Sequence, residues 1–179
     1  MKLTQRPQHI AKGLGKKGVL YFFYDAYSYG IATQVGNNSY VISWLSPLLY
    51  ALKNRDVYFH IYATDVTITI DTINGLLAKN SNAHFIYEFV DEISPALPGT
   101  PITDEVMVRH NWMLMNPDIF VITTAQALFD QAIAIRGNSN NVILVPNAAD
   151  VEFFSSVSRK KTILRNDFRK IVEKEKKIL

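Results

Sequence analysis

Two adjacent carboxylates, Asp91 and Glu92, directly follow the apolar stretch FIYEFV at residues 85–90. A carboxylate at the end of a buried strand can orient a hydroxyl group or stabilise positive charge that develops during a reaction. Polar residues also follow two other apolar stretches, at 62–65 and at 147–150. Taken singly, each is better explained as a helix cap or a solvated group. Their recurrence at three strand exits is what indicates a functional site.

A pair of carboxylates is also the catalytic set of most glycoside hydrolases. Adjacent residues on an extended strand, however, point to opposite faces of the sheet. We therefore expect only one of the two to face a given substrate, with Asp91 as the first candidate catalytic residue and Glu92 as the second. This spacing argues against the two-carboxylate site of a hydrolase.

Other residues that could do chemistry are sparse. The four histidines are scattered and the chain has no cysteine, so we expect neither a metal site nor a disulfide. His60 lies inside an apolar stretch, which is typical of a core histidine. The sequence GLGKKG at residues 13–18 lacks the Lys-Ser/Thr ending of a phosphate-binding loop and precedes a strand.

Five near-continuous apolar stretches predict the strands that would position these groups. They cover residues 18–24, 57–62, 84–90, 119–123 and 142–146. Stretches that are apolar throughout are typical of parallel strands covered on both faces. Ligands of such sheets bind beyond the carboxyl ends of the strands, so the polar exits would share one edge.

Segments of helical period separate the strands. Apolar residues recur at helical spacing from Ala125 to Ile133, and Gly137 follows as a terminator. A second helix is predicted from Pro101 to about Met115, with Thr103 as its cap.

Residues 65–77 are ambiguous, because strict alternation favours a strand while their position between two strands favours a crossover helix. We predict a helix there, and a long loop over residues 25–39. The fold class that follows is α/β, a Rossmann-like open parallel sheet with helices on both faces.

Composition limits the organisation of the chain. With 179 residues, of which 48% are hydrophobic, one good core and therefore one main domain is expected. The absence of cysteine fits a reducing compartment, and no apolar run approaches the roughly 18 to 20 residues that span a bilayer. These features predict a cytoplasmic protein.

The basic residues are concentrated in a C-terminal tail. Residues 159–179 hold nine Lys/Arg and three Asp/Glu, so residues 1–158 carry a net charge of −3 within a total of +3. A body of that charge argues against nucleic-acid binding. Ile163, Phe168, Ile171 and Val172 give the tail a partial apolar stripe, which is typical both of interdomain helices and of helices on anionic membranes.

Four segments, taken in order, carry a resemblance to a known family. They are QRPQHIAKGLGKKGVLYFFY (5–24), IYEFVDEI (86–93), ITTAQALFD (122–130) and VILVPNAADVEFF (142–154). Together they resemble the N-terminal domain of a GT-B glycosyltransferase of the retaining, group 1 (family 4-like) type. The last segment is the most specific, since Asn147 and Asp150 stand where the family has its Asn-Gly-Val-Asp turn, although Ala148 replaces the glycine.

The resemblance implies the N-terminal, acceptor-binding half of an enzyme that transfers a sugar from a nucleotide sugar to a glycan or a lipid-linked acceptor. Residues 1–154 would form this domain, and residues 155–179 would be a basic helical linker toward a C-terminal donor domain. No cofactor is implied beyond the donor substrate, and at most weak contact with the inner face of the membrane is expected. The implied substrate-binding residues are Arg6, Gln8, Tyr62, Asp65, His110, Asn147 and Asp150.

An interpretation from another class remains open. A parallel sheet with polar strand exits can also serve as a non-catalytic module that binds a sugar or a protein partner, because fold alone does not assign function. A second α/β domain with a Glu-x₇-Glu pattern downstream of Leu179 would favour the enzyme.

Overall fold

The computed structural model describes residues 6–25, 27, 32–62, 68–94, 102–148 and 155. The chain divides into two compact units, Met1–Pro146 and Asn147–Leu179. All of the elements below belong to the first unit. The predicted tail helix over 155–179 lies outside the described residues apart from Ser155.

Helices and strands alternate along most of the first unit. Their order is α1 (Arg6–Lys16), β1 (Tyr21–Tyr24), β2 (Ala32–Gly36), β3 (Ser39–Ile42), α2 (Leu45–Ala51), β4 (Val57–Tyr62), α3 (Ile70–Lys79), β5 (Ala83–Phe89), α4 (Asp104–Met115), β6 (Ile119–Thr123), α5 (Gln126–Arg136) and β7 (Val142–Leu144).

The larger sheet has four strands in the order β4-β5-β6-β7, and every neighbouring pair is parallel. In the described part of each crossover there is one helix, so the fold is α/β with a Rossmann-like open parallel sheet, as predicted. The sequence located β4 and β6 to the residue, because both are near-continuous apolar stretches that end at Tyr62 and Thr123.

The predicted loop over residues 25–39 is wrong. Within it, β2 and the start of β3 form an antiparallel pair joined by a turn at Asn37 and Asn38, and Asn38 has a φ of 55°. Every residue of β2 is exposed, so the strand has no apolar pattern by which the sequence could reveal it. β1 also departs from expectation, since it pairs in parallel with β3 in a separate three-stranded sheet of order β1-β3-β2.

The ambiguous segment before β5 is helical, although α3 begins only at Ile70. Thr69 caps it by accepting a hydrogen bond from the Thr72 amide. Thr103 caps α4 in the same way, with the Val106 amide as donor. Gly137 ends α5 in the left-handed conformation, with a φ of 81°. Thr103 and Gly137 therefore cap α4 and α5 as predicted.

One face of the four-stranded sheet forms the hydrophobic core. Alternate residues of the strands, such as Phe85 and Tyr87 of β5, pack there against α3, α4 and α5 through Ile73, Met113 and Ala132. The opposite face carries the intervening residues, among them Glu88, which is reached by Arg6 of α1. Helices therefore contact both faces.

Arg136, the last residue of α5, joins α4 to the strands on either side of α5. Its guanidinium donates hydrogen bonds of 2.7–3.2 Å to five backbone carbonyls, those of Met113, Leu114, Asn116, Ile119 and Asn140. Three of these carbonyls belong to the end of α4, where a helix leaves acceptors without internal partners. The side chain thus acts as a C-terminal cap in trans.

Among the described residues, none of the helices has both the length and the apolar character required to cross a membrane.

Candidate functional site

The side chain of Glu88 is the unusual feature of the parallel sheet. Strand β5 is otherwise apolar at its carboxyl end, and Tyr87 and Phe89 face the core on either side of this residue. Glu88 is itself 1% exposed. Burying a carboxylate costs several kcal/mol unless other groups compensate it, so its partners decide what it can do.

Two basic side chains lie against the Glu88 carboxylate, one on each oxygen. Arg6 Nε donates a 3.0 Å hydrogen bond to Oε2, and His60 Nδ1 lies 3.4 Å from Oε1. The second contact is long, and neither Nδ1 nor Oε1 has a hydrogen-bond partner among the described residues. Burial acts to raise the pKa of Glu88, but His60 and Arg6 outweigh it and hold the pKa below its ordinary value. Glu88 is therefore an anion at neutral pH.

Two tyrosines complete the surroundings of the carboxylate. Tyr62 stands directly opposite Glu88 in the β4–β5 register, and its hydroxyl is buried without a hydrogen-bond partner in the described part of the chain. The Tyr21 ring meets His60 edge-on, with 5.9 Å between centroids. Burial and the nearby Glu88 charge raise the pKa of Tyr21 to about 12 and raise that of Tyr62 as well, so both hydroxyls stay protonated.

We call these five residues, Arg6, Tyr21, His60, Tyr62 and Glu88, the Glu88 cluster. Tyr62 is the last residue of β4 and Glu88 is the last but one of β5. The cluster therefore lies at the carboxyl ends of two parallel strands, where open α/β sheets bind their ligands. It combines an anion, a guanidinium, an imidazole and neutral hydroxyls, which can donate hydrogen bonds to hydroxyl groups or accept them.

The structure places two of the predicted site residues, Arg6 and Tyr62, in this cluster. Asp91 and Glu92 are exposed and follow β5 after its end at Phe89. They lie beyond the same strand exit as Glu88, but no hydrogen bond or ion pair fixes either of them within the described region. Their catalytic role stays a prediction.

His110 lies elsewhere, on the core side of the sheet. It is 1% exposed, and its Nδ1 is 2.6 Å from the Tyr87 hydroxyl. Its ring also meets the Phe89 ring edge-on, at 4.9 Å between centroids. Burial lowers the pKa of His110 to about 4, so it is neutral at physiological pH. The structure therefore does not bring His110 together with the residues at the strand exits.

The remaining predicted residues are spread over the domain or undescribed. Gln8 is exposed on α1, and Asn147 is exposed after β7. Asp65 and Asp150 lie outside the described residues.

Sequence reasoning missed Glu88, His60 and Tyr21. The available signal was Glu88 itself, an ionisable residue inside a strand that is apolar on both faces. Its partner Arg6 is 82 positions away in the sequence, a separation that no local pattern reveals.

A cleft lies between the start of α3 and the first half of α4. This cleft has a volume of about 320 Å³ and is lined mostly by apolar atoms of Ile68, Ile70 and Val108, with Asp71 and Glu105 at its rim. Arg109 lines it too, but it is buried and donates a 3.0 Å hydrogen bond to the Ile68 carbonyl. In the described part of the chain, no group of three or more ligating side chains could hold a metal ion.

Comparison with known proteins adds no relationship: no family model matches this sequence, and no curated protein and no solved structure matches it significantly.

Proposed function

We propose that this chain is the acceptor-binding domain of a GT-B glycosyltransferase, which transfers a sugar from a nucleotide sugar to a glycan or a lipid-linked acceptor. The observation that carries the proposal is the Glu88 cluster at the carboxyl ends of two parallel strands. The sequence segments that resemble such a domain give the proposal its reaction class.

A structural role alone is a poor explanation for the cluster. An ion pair with a buried carboxylate, such as Arg6–Glu88, often adds no stability over apolar residues of similar size. Three buried polar atoms, His60 Nδ1, Tyr62 Oη and Glu88 Oε1, also lack hydrogen bonds among the described residues. An unsatisfied atom such as Tyr62 Oη costs about 1–3 kcal/mol, whereas His60 Nδ1 and Glu88 Oε1 face each other at 3.4 Å. The fold retains these polar groups despite their cost, and they lie at the edge where α/β sheets bind ligands. Both facts support a binding function.

The chemistry of the cluster suits a sugar acceptor. Carbohydrates present several hydroxyl groups, each of which both donates and accepts a hydrogen bond. The Glu88 carboxylate is fully buried, so in this account it orients the imidazole of His60, whose exposed part would meet the hydroxyl groups of such a ligand. In this account Asp91 and Glu92, exposed beyond the same strand, are the candidates that act on the transition state. The proposal includes no cofactor, because the donor nucleotide would be held by a second domain.

The alternative of a non-catalytic sugar-binding module uses the same cluster. It differs in one respect, since a binding module does not depend on Asp91 or on a donor domain. Nucleotide-sugar turnover by a longer chain that contains both domains, and its loss in Asp91→Asn, would favour the enzyme.

Two binding measurements test the proposal. A glycan array probed with this chain should detect weak binding, which His60→Ala weakens while Glu105→Gln, at an exposed position on α4, does not. Calorimetry with a panel of nucleoside diphosphates should detect little or no binding. Micromolar binding of a nucleoside diphosphate, together with no glycan binding, would refute the acceptor assignment.

A further inference from the structure

We propose that His60 accepts a hydrogen bond from a ligand hydroxyl group at Nε2, and that Glu88 is the positioning residue that keeps the proton on Nδ1. The inference deepens the proposed function, and it rests on that function only for the class of ligand, a neutral polyol. The arrangement of the ring follows from the geometry of the cluster alone.

The position of the proton follows from the contact between His60 Nδ1 and Glu88 Oε1. The two atoms are 3.4 Å apart, and the Glu88 side chain is fully buried. If Nδ1 carried a lone pair, that lone pair would face an ionised carboxylate in a site that screens charge poorly. A proton on Nδ1 turns this repulsion into an attraction. In the neutral imidazole the remaining lone pair then lies on Nε2.

The accessible part of the ring lies away from Glu88. Nδ1 is buried, yet the His60 side chain retains 15% of its surface. Among the described residues, Nε2 makes no hydrogen bond and is not one of the buried atoms that lack a partner. The Nε2 lone pair is thus the part of this dyad that a ligand can reach, and it accepts hydrogen bonds from hydroxyl groups.

Three of the groups that face the ring, Glu88, Tyr21 and Tyr62, hold their charge states. Glu88 on β5 stays ionised because its pKa is lowered. The pKa values of Tyr21 on β1 and of Tyr62 on β4 are raised, so these side chains stay neutral.

Nitrogen NMR of the ¹⁵N-histidine-labelled chain tests the tautomer directly. We expect the His60 signals, assigned with His60→Gln, to show a protonated Nδ1 and an unprotonated Nε2. Glu88→Gln should move the equilibrium toward Nε2–H, whereas Glu92→Gln, at an exposed neighbouring position, should not. A wild-type His60 protonated on Nε2 at neutral pH would overturn the inference even if Glu88→Gln fails to fold.

Chemical modification and ligand titration complete the test. Diethylpyrocarbonate should modify His60 faster than the buried His110, and equal protection of the two would contradict an accessible Nε2. A methyl glycoside that binds should shift the His60 Nε2 resonance, and His60→Ala should weaken its binding about tenfold. A bound glycoside that leaves Nε2 unchanged overturns the inference. If no glycoside binds, the proposed function is contradicted. The tautomer of His60 is still decided by the nitrogen NMR of the chain without ligand.

Discussion

Protonation of His110 should destabilise the fold at mildly acidic pH. The ring is buried against Tyr87 and Phe89, and burial lowers the pKa of His110 from 6.5 to about 4. Below pH 6.5 the unfolded chain binds a proton at this residue that the folded protein does not bind. Stability is therefore lost as the pH falls from about 6.5 to about 4, and it is fully present above that window.

The size of the effect follows from the two pKa values. At pH 5, protonation of His110 in the unfolded state lowers the free energy of unfolding by about 2 kcal/mol. At pH 7 the same effect is about 0.2 kcal/mol. Other groups also titrate in this range, so the test compares variants. Urea unfolding of the wild type and of His110→Gln at pH 7 and pH 5 should show a pH-dependent loss that is smaller by about 2 kcal/mol in the variant.

The control is His9→Gln, at an exposed position on α1, which should leave the pH dependence of the wild type unchanged. His110→Gln will also lower stability at both pH values, because packing and the Tyr87 hydrogen bond are altered. Only the difference between the two pH values bears on the argument. If the free energy of unfolding of His110→Gln falls between pH 7 and pH 5 by the same amount as that of the wild type, within about 0.5 kcal/mol, burial does not suppress protonation of His110 and the reasoning fails.

Three further predictions concern the carbonyl cap, a close backbone contact and the strand exit. Arg136→Met should cost about 3 kcal/mol of stability in urea unfolding and Arg136→Lys roughly half as much, because an ammonium reaches fewer of the five carbonyls; equal stabilities would contradict the cap. Gly15→Ala should lower the melting temperature more than Gly13→Ala, since a Cβ on Gly15 would clash with the Asn37 carbonyl oxygen while one on Gly13 meets nothing; similar melting temperatures would refute the clash. Asp91→Asn in an active two-domain protein should lower kcat more than Glu92→Gln with little loss of melting temperature; parallel losses of activity and stability would indicate a structural role.

The sequence predicted the part of the fold that local chemistry encodes. β4 and β6 are near-continuous apolar stretches. The Thr103 hydroxyl suits the residue that begins a helix, and the freedom of Gly137 to adopt a positive φ suits the residue that ends one. The β2–β3 pair could not be predicted in this way, because β2 is exposed throughout. Its position depends on pairing with β3, which is a tertiary interaction.

The candidate site was predicted less well than the fold, for a related reason. The strand exits at Tyr62 and Asp91 were identified because parallel strands end at one edge. His60 was interpreted as a core histidine, and its contact with Glu88 arises from the parallel alignment of β4 and β5. Arg6 approaches the same carboxylate from α1. No property of these residues in isolation indicates that they meet.

The central claim is that the Glu88 cluster binds a carbohydrate. Amide NMR of the labelled chain, titrated with methyl glycosides and short oligosaccharides to millimolar concentration, tests it most directly. The account predicts shifts at the carboxyl ends of β4 and β5 and at the start of α1, and none at the far end of α5. These shifts should be smaller in His60→Ala. Shifts confined to the cleft between α3 and α4, or no shifts with any sugar, would contradict it.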